Sequence, residues 1–401
     1  MIALDAVKFN LETVVAGGSL NVRKNATEPI ALPEWRRGGS VNFEDSVAAF
    51  ALAGLEHATM HIAASFSSDE GTLRTAEIRA VDNLIAPPPL VRSRVTSILQ
   101  RVSTANTEVP VSVRERNVPF HNGATGMVRF ELSDPKIDRT RVGLYDCEWQ
   151  WQYRVPGDPV WRRFAISRHR IYVTLDIPSA PWKQMPYESE NTQLLWTDVL
   201  DYACSWAAGA QNTVEAATAI TKRVNDLAPH LITFDAPGAG SAHYAWSNFD
   251  CSAFLERLAG GIGNGMYVNA TDCATIVSTF ANAIGCDLWQ SRMGYGFSTN
   301  PAMTIGSKIW QKPALWPGFS YHEVAWENSC SEDDRVYDAS MTIDGGLDPT
   351  QPPHTAISAA GLPFGHATGH GEISFRTRLA APAGLYPCQA QPQTRTRRVV
   401  I

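Results

Sequence analysis

Cys273, His322 and Asp338 are the three residues whose types and spacing can do chemistry together. A cysteine is a nucleophile only as its thiolate. An imidazole can take the thiol proton and return it to a leaving group, and a carboxylate behind the ring selects its tautomer. Around Cys273 the chain reads NATDCATIVSTFANAIGCD, from Asn269 to Asp287. Val277, Phe280, Ala281 and Ile284 recur at spacings of three and four, which predicts a helix with one buried stripe. Cys273 lies on that stripe. Thr271 or Asp272 is the expected N-cap and Gly285 the expected C-terminal stop. A thiol in the first turn would feel N–H groups that favour its negative charge.

His322 and Asp338 stand in two strand-like pieces, FSYHEVAW and RVYDASMTI, on either side of the polar stretch ENSCSEDD. That is a hairpin pattern with a longer loop. Both residues are eight positions from Cys330. A loop centred there sets them directly opposite each other, with Cβ atoms about 4.5–5.5 Å apart. The plainer alternatives are a buried, inert thiol and a structural histidine–aspartate pair within a sheet.

On the stretches TDCATIVSTFANAIGCD, YHEVAW and VYDAS the sequence resembles the transglutaminase-like superfamily of cysteine enzymes, whose fold is related to that of papain. The likeness covers about Asn212 to Thr350. AATAITKRVNDL and ITFD stand where such families place an upstream helix and short strand. The resemblance implies that Cys273 is the nucleophile, His322 the base and Asp338 its orienter. It implies an oxyanion donor in the Cys273 backbone N–H, and a second in Asn269 or Trp246. The implied activity is cysteine-dependent acyl transfer on amide bonds through a thioester, as a protease, deamidase or transglutaminase. Its substrate would be a protein or peptide, and it would need no cofactor and no metal. A second class stays open: a non-enzymatic binding or structural protein with a degenerate domain of this kind.

Other constellations carry less. Cys251 also begins a helical stretch, eight residues after His243, and reads as a buried thiol. His354, His366 and His370, near Asp344, Asp348 and Glu372, read as loop residues because Gly365, Gly369 and Gly371 break any helix there. WQWQYRV and RHRIYVTL read as strands with one buried and one wet face, or else as a ligand face.

The elements that must position these residues suggest an α+β chain of two domains. Its length of 401 residues exceeds what one core usually serves. Residues 1–185 predict a β-rich sandwich or barrel with one or two helices, in FEDSVAAFALAGLEHA and PPPLVRSRVTSILQRV. The proline-rich IPSAPWKQMPYESENT reads as a linker. Residues 190–360 then predict the cysteine domain, and 361–401 a C-terminal extension. A formal charge of −6 argues against a nucleic-acid partner. No apolar run approaches the roughly 18 residues of a membrane span. The N-terminus lacks the pattern of a signal peptide, so a cytoplasmic location is expected, with export only by a non-classical route. Seven scattered cysteines without a CxxC pair predict reduced thiols.

Overall fold

Alternating apolar residues in the first half of the chain build two sheets around one core. The structure is a computed structural model describing residues 1–9, 18–28, 34–39, 42–53, 60–82, 111–132, 141–182, 194–236, 240–294, 296–312, 321–366, 373–381 and 387–401. The strands are β1 (Ile2–Lys8), β2 (Glu34–Arg36), β3 (Val47–Ala51), β4 (His61–Ser68), β5 (Thr75–Asp82), β6 (Val113–Pro119), β7 (Val128–Glu131), β8 (Gly143–Arg154) and β9 (Arg162–Thr174). One sheet runs β2-β1-β4-β7, the other β3-β9-β8-β5-β6. Leu4, Phe66 and Phe130 of the first meet Trp149, Trp151 and Ile171 of the second in a shared core. The two tryptophans of WQWQYRV are therefore interior, while Gln150, also buried, and the half-buried Gln152 alternate with them, so that stretch is not an aromatic ligand face.

Over residues 43–53, the described part of FEDSVAAFALAGLEHA, the expected helix does not form. A 3-10 turn, Phe43–Asp45, leads into β3, whose five residues are all buried and pair in parallel with β9. VAAFA has no polar stripe for a helix to turn outward, and a strand covered on both faces accepts such a run. PPPLVRSRVTSILQRV lies outside the described residues.

Contacts divide the chain into two units, the first comprising chiefly Met1–Ile177 and Leu194–Gln211, the second chiefly Asn212–Ile401. Helix α1 (Thr197–Trp206), read from sequence as the start of the second domain, belongs to the first. Its Asp201 carboxylate accepts from Arg170 Nη1 at 3.1 Å and from the Tyr172 hydroxyl at 2.6 Å, both on β9. That buried ionic cluster ties the helix to the sandwich. The start of the proline-rich linker is fixed in the second unit, where Trp182 Nε1 donates to Thr279 O at 2.9 Å.

The second unit contains α2 (Thr213–Asp226), β10 (Thr233–Phe234), β11 (Asn248–Phe249), α3 (Cys251–Leu258), β12 (Tyr267–Val268) and α4 (Ala270–Ala283). Then come β13 (Trp289–Met293), β14 (Met303–Thr304), β15 (His322–Trp326), β16 (Arg335–Asp344), β17 (Ala356–Pro363), α5 (Phe375–Leu379), β18 (Ala390–Thr396) and β19 (Val399–Val400). The main sheet runs β14-β16-β15-β13-β18, with β17 also on β16. Residues 361–401 are thus no extension: β18 completes the edge of β13, and β19 pairs in parallel with β11. Among the described residues strands outnumber helices, and the chain is mixed α+β. Among the described residues no helix is long and apolar enough to cross a membrane.

Candidate functional site

The start of α4 is fixed by side chains. Asn269, not Thr271 or Asp272, is its N-cap, and its Oδ1 accepts from Asp272 N at 2.9 Å. Asp272 returns the bond, accepting from Asn269 N at 3.0 Å to complete a capping box. The same carboxylate also accepts from His243 N at 3.0 Å, Tyr244 N at 2.8 Å and Ala245 N at 2.8 Å. One buried side chain therefore holds both the helix start and the loop before Trp246. Burial holds the Asp272 carboxyl above its ordinary range, against the opposing pull of these backbone donors.

Cys273 lies one position deeper than a cap can exploit. Its backbone N–H closes the first helical turn on Asn269 O at 3.0 Å. That N–H is committed, so the oxyanion role implied for it is not available in this conformation. Asn269 is likewise occupied, since its Nδ2 donates to Gly240 O at 2.5 Å while its Oδ1 holds the cap. Trp246 is 61% exposed, with its backbone N–H bonded to Asn248 O, so of the two second donors only its indole stays available. The Cys273 side chain is wholly buried. Burial, then the charges of Asp272 and Asp338, push its thiol well above the ordinary range. Every other cysteine is likewise a buried thiol outside any disulfide, Cys251 included.

His322 and Asp338 do meet. Nε2 of the ring is 2.8 Å from Asp338 Oδ2, and both side chains are buried. Asp338 Oδ1 accepts from Ser340 N at 2.8 Å and Ser340 Oγ at 2.6 Å, which fixes the carboxylate. The expected register is off by two, however. Ala325 pairs with Tyr337 and Trp326 with Val336, so the hairpin is centred on residue 331. The two residues are diagonal neighbours on one face rather than direct opposites.

Which face that is decides what the pair can reach. Side chains alternate across a strand. His322 emerges with Val324 and Trp326, on the side where Phe364 and Phe375 complete an apolar core. Its ring lies parallel to Phe375, centroids 6.4 Å apart. Tyr321 and Glu323 emerge on the other side and lie 3.3 and 3.2 Å from the Thr271 hydroxyl of α4. Gln290 of β13, on that same side, donates to Ser278 Oγ at 2.7 Å. So α4 packs on one face of the sheet, and the imidazole enters the core on the opposite face. Within α4, Cys273 shares a side with Phe280, seven residues on, which packs edge-on against Phe254 of α3 at 5.9 Å.

Sequence reasoning missed the group that knits this region together. Arg398 reaches Glu323 through both terminal nitrogens, and also Gln290 Oε1 at 2.9 Å, Thr275 Oγ1 at 3.1 Å and, by Nε, the Trp246 carbonyl at 2.8 Å. In sequence it is one of several C-terminal arginines, and nothing local marks it out. Asp272 was more legible, because Asn-x-x-Asp ahead of an apolar run is a capping-box pattern. Among the described residues no group of three or more His, Cys, Asp or Glu side chains is gathered to hold a metal. His354 instead bonds Asp344 at 2.8 Å, and His366 bonds Glu332 and Asp333.

No family model matches the sequence, and no curated protein matches it. Among solved structures it is similar to the transglutaminase of red sea bream, with a TM-score of 0.38 and 11% identity over 76% of this chain. The chain matches 50% of that protein's length.

Proposed function

We propose that Cys273 is a structural thiol, that His322 and Asp338 form a structural pair, and that the chain acts by binding a protein or peptide rather than by thiol chemistry. The setting of Cys273 carries the first part of this reading, that the thiol is structural. Reactive cysteines sit partly exposed beside cations or free helix N–H groups, whereas buried structural ones are inert. Cys273 is sealed, its N–H is committed, and the two charges acting on it are both carboxylates. Each of these raises the cost of the thiolate.

Labelling of the folded chain with iodoacetamide at pH 7, mapped by mass spectrometry, tests it. Cys273 should react no faster than the other six cysteines, and His322→Gln should leave its rate unchanged. Selective modification of Cys273 below pH 8, lost in H322Q, would overturn the proposal.

One observation favours a second reading, cysteine-dependent acyl transfer. Asp338 both holds His322 and lies near enough to Cys273 to act on its thiol. On that reading His322 serves as the base for the Cys273 thiol. Cys273 would then attack an amide carbonyl, the amine would leave with the proton from His322, and water or another amine would release the acyl group. Ammonia release from a glutamine-containing peptide, abolished by Cys273→Ser, would establish it.

A further inference from the structure

We propose that the hollow between α2 and the bulge of β16 binds a small neutral α-amino acid. The hollow exists because β16 carries extra residues there. Asp338 pairs with Ala359 of β17, yet the next pair is Thr342 with Ser358, so residues 339–341 have no counterpart in β17. They are held elsewhere: Ser340 O accepts from Ile305 N at 2.7 Å, and Ala339 O accepts from Asn225 Nδ2 of α2 at 2.8 Å. Such bulges bend a strand and recur beside binding sites.

The cavity measures about 140 Å³. A cavity of about 150 Å³ takes benzene, so this one has room for about six non-hydrogen atoms, the size of alanine. A nucleotide or a large cofactor needs several times more.

Its walls match a zwitterion. Lys222 and Asp226 line one side, four residues apart and so on one face of α2. Neither is matched to an opposite charge among the described residues. Lys222 suits a carboxylate. Asp226 is the last residue of the helix, where the backbone carbonyls add their own preference for an ammonium group. Thr342 and Ser358, cross-strand partners, bring hydroxyls to the opposite wall, and Ile357 supplies an apolar surface for a short side chain. A simple anion would leave Asp226 unanswered, and a simple amine would leave Lys222 so.

Isothermal titration of the full chain with L-alanine and L-serine tests this, with propionate and propylamine as single-charge probes. Both amino acids should bind with Kd of about 1 mM, within reach of a six-atom solute, and the single-charge probes about tenfold more weakly. Lys222→Gln and Asp226→Asn, both at exposed positions, should each weaken the amino acids by about tenfold, and Thr342→Val should weaken them from the other wall. The proposal fails if no saturable heat appears by about 50 mM, if all four probes bind alike, or if the three variants bind as the parent does.

Discussion

Asp272→Ala should destabilise the second unit by about 4 kcal/mol or more, since it strands buried N–H donors that each cost about 1–3 kcal/mol when unpaired. The carboxylate accepts from the backbone of His243, Tyr244, Ala245 and Asn269, and it is wholly buried. Alanine offers none of them an acceptor, and it also removes half of the capping box. Asp272→Asn keeps one oxygen and should fall between parent and alanine. Urea unfolding gives the overall loss. Amide hydrogen exchange gives the local one: His243, Tyr244 and Ala245 should lose protection in D272A before the sheet does. A loss below about 1 kcal/mol, with those amides still protected, would mean that water or the backbone replaces the carboxylate without difficulty.

The same helix shows what a sequence can and cannot disclose. The stripe of Val277, Phe280 and Ile284 was legible, and so was the stop at Gly285, whose φ of 88° suits a glycine. The stripe was not the face that meets the sheet. Thr271 to Ala283 are all buried, and it is the polar residues Thr271, Thr275 and Ser278 that meet Glu323, Arg398 and Gln290. A helix enclosed on all sides has no single inward face for a periodicity to reveal. Cys273 followed the apolar stripe, and the apolar stripe leads to α3.

The hairpin failed in a related way. Counting from Cys330 assumed a symmetric loop. The turn contains Asn328 and Cys330 with positive φ, and the four hydrogen bonds that Asp334 receives from Asn328, Ser329 and Ser331 shift its centre by one residue. One residue of centre is two of register, which keeps every side chain on its face. His322 and Asp338 therefore still met, by the diagonal. Spacing could pair them, because pairing depends on parity. It could not say which side of the sheet they would occupy, because that depends on what α4 and α5 bring to each face.

Acid should weaken the first unit through a residue the sequence did not single out. His169 is buried between Phe9 and Trp149, ring centroids 5.0 and 4.5 Å away. Its Nδ1 lies 2.8 Å from Ser46 Oγ, and its Nε2 lies 2.7 Å from Ser167 Oγ, which also accepts from Trp151 Nε1 at 2.9 Å. Two hydroxyls serve a neutral ring, donating to one nitrogen and accepting from the other. They do not offset the lost hydration of an imidazolium, and burial lowers the His169 pKa to about 3. The unfolded chain takes up this proton near pH 6.5, and the folded chain refuses it until about pH 3. Stability from this group is whole above pH 6.5 and falls as pH drops, by up to about 1.4 kcal/mol per pH unit, until the folded ring is protonated. The sum approaches 4–5 kcal/mol, roughly the difference of 3.5 units in pKa converted to free energy. Urea midpoints at pH 7, 5 and 4 should therefore fall more steeply for the parent than for His169→Gln. The ring's own NMR signal should stay that of a neutral imidazole at pH 4. A signal that titrates near 6.5, or equal slopes in parent and variant, would mean that the ring reaches water or that the serines carry its charge.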